Sequence, residues 1–377
     1  MKISILSPDL SENGLGRAYL LAQLLEQDYE VEIIGPELGG GIWEPVADEY
    51  KYKSVPMSKF AYNFVRKYPA ISKQITGDVV YASKPRMTSF GWGLVHVVRE
   101  RKPLVLDIDD WESGFYYDRD HARILSHIKY FPHLADLNSL NYNRVLERLS
   151  TYADELTVSN SFLQDKFGGT VIPHVRDTAA FNPGLYDKAA LRAEFGLPAD
   201  KQLVLFSGTP RPHKGLDDLI TAMEQLERPD ASLLIVGASD SDYVRELRSR
   251  AGDQVLFRGQ QPFEDIPKWI AAADVFAIPQ KDVFSTKGQL PAKLFDAMAM
   301  GKAIVATAVS DVPEILADAG MLVTPESPAE LSSAIEMLLD DGDLRAEFER
   351  KARERCVEQY SYEAMAPRLT EVIEEAA

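Results

Sequence analysis

Leu203-Val204-Leu205-Phe206-Ser207-Gly208-Thr209-Pro210-Arg211-Pro212-His213-Lys214-Gly215 decides how this chain is read. A short apolar run enters a glycine turn, which offers two cations three residues apart before a helical pattern begins. A second stretch, Pro291-Ala292-Lys293-Leu294-Phe295-Asp296-Ala297-Met298-Ala299-Met300-Gly301-Lys302, opens a helix with Lys293 and Asp296 on one face. Strand, glycine turn and helix in this order are the repeating unit of a parallel sheet flanked by helices.

Outward from that unit, short apolar runs alternate with helical patterns along the whole chain. In the first half the spacing predicts strands over 2–6, 30–34, 79–81, 104–108, 155–158 and 170–172. In the second half it predicts strands over 202–206, 232–236, 255–258, 275–278, 303–307 and 320–323. Each set makes one doubly wound sheet, and Pro173 to Asp187 breaks the periodicity as a linker would. Two such domains, 1–180 and 181–359, are expected to face one another across a central cleft. Carboxyl ends of parallel strands are where folds of this kind bind ligands. In the closing segment from about 360 to 377, Met365, Leu369 and Ile373 are spaced four apart, one face of a helix. Residues 118–150 read as a mixed helical insertion.

Composition narrows the function. The 377 residues suit two domains of ordinary size. A net charge of -17 offers no long basic face, which disfavours a nucleic-acid partner. Cys356 is the only cysteine, so disulfide frameworks and cysteine-rich metal sites are excluded. The first strand is too brief for a signal peptide and no run is long enough to span a bilayer, so a cytoplasmic protein is expected. From Lys51 to Lys73 the charge reverses: six basic residues, several aromatics and no acid. Two readings stay open there, a peripheral contact with anionic lipid at the inner membrane face and a surface helix with core aromatics.

Four segments carry chemistry. Gly14, Gly16 and Arg17 follow the first strand and open a helix, where backbone amides approach anions. The dinucleotide fingerprint fails because Tyr19 stands at its third glycine. Asp107, Asp109 and Asp110 sit at a strand end, either as an Asp-x-Asp metal clasp or as metal-free acids meeting sugar hydroxyls. Arg211 and Lys214 pair a bidentate fork with a point charge, the equipment for a leaving diphosphate. Asp296 suits ribose hydroxyls, while Gly288, Gln289, Leu290 and Pro291 bring amides to a helix start. Cations for phosphate and an acid for sugar together point to a nucleotide sugar.

These residues resemble the retaining, metal-independent glycosyltransferases of the GT-B fold, family four. Gly14-x-Gly16-Arg17 looks like that family's first glycine loop. Ser207 to Gly215 resembles its G-x-x-x-x-x-K-G segment, and Pro291 to Gly301 its P-x-K-x-F-E-x-M-A-x-G helix. The resemblance implies a two-domain GT-B enzyme that moves a sugar from a UDP- or GDP-sugar to a saccharide or lipid-linked acceptor, with retention and without cofactor or metal. It places Arg211, Lys214, Asp109 and Asp110 at the chemistry. Gly14, Gly16, Arg17, Gly208, Arg258, Gly288, Gln289, Leu290, Pro291, Lys293 and Asp296 fall to the donor, with the base near Arg258-Gly259. It also implies that the closing helix crosses back onto the first domain. Where the family carries a first glutamate, this chain has Gly288; where many members carry a histidine, it has Asp109. A sugar-nucleotide epimerase or hydrolase on the same scaffold, and a non-catalytic binding protein, are the alternatives.

Overall fold

The computed structural model describes residues 1–117 and 135–377. The chain forms two compact units. The first comprises Met1–His174, Lys287–Leu290 and Met365–Ala377; the second comprises Val175–Thr286 and Pro291–Ala364.

The first unit is a seven-stranded parallel sheet of β1 (Lys2–Leu6), β2 (Glu30–Glu37), β3 (Tyr52–Pro56), β4 (Val79–Ser83), β5 (Leu104–Ile108), β6 (Glu155–Val158) and β7 (Thr170–Val171), in the order β3-β2-β1-β4-β5-β6-β7. β4 and β5 are buried along their whole length, as continuous apolar runs in a sheet covered on both faces must be. β1 lies between β2 and β4, so the direction of winding reverses there. Two features differ from the sequence reading. β2 runs on to Glu37, and β3 falls inside the basic stretch, where Val55 is its one buried residue. The rest of that stretch holds the helix Tyr62–Ser72. The expected insertion lies outside the described residues over 118–134; its remainder contains the helix Leu140–Leu149. The last helix, Tyr362–Ala376, buries Met365, Leu369, Val372 and Ile373, and Thr370 hydrogen-bonds Asp28 at 3.1 Å.

The second unit is a six-stranded parallel sheet of β8 (Gln202–Ser207), β9 (Ala231–Val236), β10 (Val255–Arg258), β11 (Val275–Ile278), β12 (Ala303–Thr307) and β13 (Met321–Val323), in the order β10-β9-β8-β11-β12-β13. All six strands were legible as apolar runs. Val204, Phe206, Leu233, Ile235, Val275 and Ala277 join Leu216, Leu219, Ile220 and Met223 of the following helix in one core. Winding reverses between β8 and β11, so the loops after these two strands lie side by side at the carboxyl edge.

Candidate functional site

At the reversal point of the second unit, the loop after β8 carries the cations read from the sequence. Arg211 is exposed and forms no ion pair with any described residue. Lys214 donates to Gln280 Oε1 at 3.3 Å, and Lys281 N donates to His213 O at 3.0 Å, so the two switch-point loops are stitched together. Gly215 ends this turn with φ +69°; a Cβ there would stand 1.7 Å from the carbonyl oxygen of Pro279. Only glycine lets the turn pass that close, and this fixes where Lys214 begins.

Lys293 reaches the same loop from the helix Ala292–Ala299. Its ammonium lies 3.5 Å from the centroid of the Phe206 ring and 2.9 Å from where a Cβ on Gly208 would stand. Burial first, and then the charge of Lys214, hold its proton affinity well below that of an ordinary lysine. Two lysine amines and a side-chain-free glycine at one loop describe an anion site. Gly208 in turn lies against Gly237, whose amide bonds to the carbonyls of Arg258 and Gly259. Arg258 therefore contributes through its backbone to this edge, and its side chain turns to Phe257 O.

Asp296, on the next turn of the helix, is 7% exposed and accepts from Arg176 Nε. Arg176 also donates to Val175 O at 2.7 Å and lies over the rings of Phe181 and Phe263. An acid read as waiting for ribose hydroxyls thus already has a guanidinium on one oxygen. Arg176 lay in the presumed linker, where no periodic signal marks it.

In the first unit the carboxyl end of β5 delivers Asp109 and Asp110 into a buried charge cluster around Lys84, a residue the sequence reading passed over. Lys84 Nζ stands 2.8 Å from Asp109, 2.6 Å from Asp110 and 3.5 Å from Glu112, and Arg86 grips Glu112. Lys84 follows β4 with φ +69°, a left-handed conformation costing a side-chain-bearing residue about 1 kcal/mol. Its amide bonds to Asp107 O, and Ser89 Oγ donates to its carbonyl, which hold it there. Burial raises the proton affinity of Asp109. For Asp110 burial acts in the same direction, but Lys84 and the hydrogen bond from Gln289 outweigh it and favour the carboxylate. Adjacent acids pushed apart in this way are a common mark of a working site.

Gln289 Nε2 reaches Asp110 Oδ1 at 3.1 Å, and Trp111 N donates to Gly288 O at 3.2 Å. A Cβ on Gly288 would come within 2.5 Å of Trp111 Cβ. Gly288 is a glycine because Trp111 occupies the space a side chain would need. Leu290 is buried beside it, and Pro291 caps the helix that follows.

One expectation is corrected, and one of two open readings closes. Arg17 does not face a ligand: its side chain is 1% exposed, it holds Asp107 bidentately at 2.7 and 2.9 Å, and it donates to Ile172 O and Pro173 O. Asp107 accepts from Thr157 as well, so both its oxygens are engaged and an Asp107-x-Asp109 metal clasp does not fit this donor set. Around Gly14 and Gly16, the amides of Leu15 and Gly16 bond to Glu12 O and Asn13 O. Gly14 lies near Lys84 Cε, and Gly16 packs on Trp43.

Residues 187–355 match the model of the family described as glycosyl transferases group 1. This stretch of the chain is similar to that family. It contains the cation loop and the Pro291 helix on which the resemblance rested. A GDP-mannose-dependent monoacylated alpha-(1-6)-phosphatidylinositol monomannoside mannosyltransferase of Corynebacterium glutamicum is 29% identical over 248 residues, 61% of this chain and 64% of the relative. A D-inositol 3-phosphate glycosyltransferase of Mycobacteroides abscessus is 38% identical over 191 residues, 48% of this chain and 40% of the relative. The chain thus spans less than two thirds of the length of either. Among solved structures, Anabaena Alr3699/HepE in complex with UDP-glucose shares 20% identity over 99% of both chains, with a TM-score of 0.77. The sucrose-phosphate synthase of Thermosynechococcus elongatus has a TM-score of 0.74 at 18% identity, covering 100% of this chain and 98% of its own. The expected GT-B fold, with two Rossmann-like parallel-sheet domains, is borne out.

Proposed function

We propose that this chain is a retaining, metal-independent hexosyltransferase that moves a sugar from a UDP- or GDP-sugar to a hydroxyl of a saccharide or lipid-linked acceptor. The observation that carries this reading is Lys293 held against Gly208, with Lys214 near enough to act on its charge and exposed Arg211 nearby in sequence, inside the segment that matches the group 1 family. As the bond from the anomeric carbon to the diphosphate oxygen breaks, the electron pair leaves with the diphosphate. Fixed cations stabilise that charge without reorganising. The acceptor oxygen attacks from the same face, and its proton passes to the departing diphosphate oxygen, so no separate strong base is needed. Asp109 and Asp110 take the sugar hydroxyls. Asp296, which Arg176 engages on one oxygen, is the acid for the ribose hydroxyls.

Arg211→Ala and Lys214→Ala, assayed for transfer from UDP-glucose and GDP-mannose across an acceptor panel, are each expected to lose roughly 100- to 1,000-fold in rate. Near wild-type rates for both would remove the mechanism. Full activity in excess chelator is expected; loss that magnesium restores would return a metal to the site.

The acceptor end is proposed to work at a membrane surface. Phe60, Tyr62 and Val65 are 57%, 60% and 74% exposed on a stretch whose Arg66, Lys67 and Lys73 oppose the charge of the chain as a whole. Phe64 and Tyr68 instead turn inward to the core, and Lys53 and Lys59 are paired with Glu32 and Glu12. Vesicles containing phosphatidylglycerol should carry the protein in flotation, and Phe60→Ser/Tyr62→Ser should release it; equal flotation with neutral vesicles would end this docking mode. No described helix is long and apolar enough to cross a membrane.

A further inference from the structure

Lys293 is an unusual lysine. It leaves the second position of its helix and ends between the face of Phe206 and the bare backbone of Gly208. It forms no ion pair with any described residue. The charged groups acting on it are Lys214, from the loop after β8, and Asp296, from its own helix; Phe206 and Gly208 supply no charge. Asp296 is already paired with Arg176. An ammonium in such surroundings has a ring, a backbone and another cation for company.

We propose that Lys293 is a third diphosphate ligand that becomes charged only when the anion arrives, so that binding of a nucleotide sugar takes up a proton. This rests on the donor-site reading above. One proton passes from solvent to the neutral Nζ amine, and the resulting ammonium pairs with a phosphate oxygen; no other bond changes. The diphosphate of a nucleotide sugar is a diester that is fully ionised near neutrality, so the ligand contributes no proton of its own. Burial and the neighbouring Lys214, which disfavour the charged lysine in the empty site, supply the direction. By linkage, the bound state holds more protons than the free state, so affinity falls as pH rises, by up to about tenfold per pH unit at full uptake.

The test is calorimetric titration of the full chain with UDP-glucose and with GDP-mannose at pH 8, in two buffers of different ionisation enthalpy. The difference in heat should report net proton uptake for the wild type. Lys293→Arg, which stays charged at all accessible pH, should bind either donor within about tenfold of wild type with uptake abolished. Lys293→Met should bind more weakly, also without uptake, and circular dichroism checks its fold. Binding to the wild type with no buffer dependence overturns the linkage and leaves the donor site standing. Uptake that persists in both variants assigns the proton to another group and likewise overturns it. Failure of both nucleotide sugars to bind removes the donor reading itself, and the proposal with it.

Discussion

The two charged regions of this molecule are built on opposite plans. Around Lys84 one ammonium serves Asp109, Asp110 and Glu112, and beside it Arg17 and Asp107 close on one another with almost no exposure. Around Gly208 the cations outnumber their partners: Lys293 has a ring in place of a carboxylate, and Arg211 stands in solvent without an ion pair to any described residue. Charges matched within the fold hold the fold. Charges left over are held for something that comes from outside. The contrast separates residues whose loss should cost stability, whatever else they do, from residues whose loss should cost function alone.

The largest effect that sharpens this contrast is expected from Lys84→Met. It would leave Asp109 and Asp110 without their shared cation and Glu112 with Arg86 alone, at about 3–5 kcal/mol of stability. A fall in the urea midpoint corresponding to less than ~1 kcal/mol would mean that the cluster is not structurally matched after all. Asp109 comes next. Burial raises its folded-state proton affinity above the unfolded value, so the folded state binds the extra proton and stability declines as pH climbs from near 4 through that raised value. Each unit of upward shift is worth about 1.4 kcal/mol. Asp109→Asn should flatten this part of the pH–stability curve, and a variant curve parallel to that of the wild type would contradict the assignment. The smallest effect belongs to Arg211→Ala, whose unfolding free energy should stay within about 0.5 kcal/mol of wild type. A stability loss of ~2 kcal/mol would blur the division between the two regions.

Sequence and structure agree best where the signal is local. Gly208, Arg211, Lys214 and Gly215 form one turn, and a turn writes itself into consecutive residues. β3 escaped notice because it lies at the edge of its sheet and buries only Val55, so it has no apolar run to display. Arg17 was read as facing a ligand because a cation behind a glycine turn suits either role. What decides is Asp107, 90 residues further along. Lys84 was missed for a related reason: its conformation is set by Ser89 and Asp107, and nothing beside it in the sequence betrays a left-handed lysine. Arg176 meets Asp296 across 120 residues and Lys84 meets Asp110 across 26, and no period or motif records such meetings.

The path of the chain has a practical corollary. The backbone passes from one unit to the other four times, after His174, Thr286, Leu290 and Ala364. A single cut therefore cannot yield two finished halves. A fragment ending at 174 would lack the lid of Leu369, Val372 and Ile373 and would expose greasy patches where that helix belongs. A fragment of 175–364 would carry Gly288 and Gln289 as a dangling flap, stripped of the Trp111 and Asp110 they normally rest on.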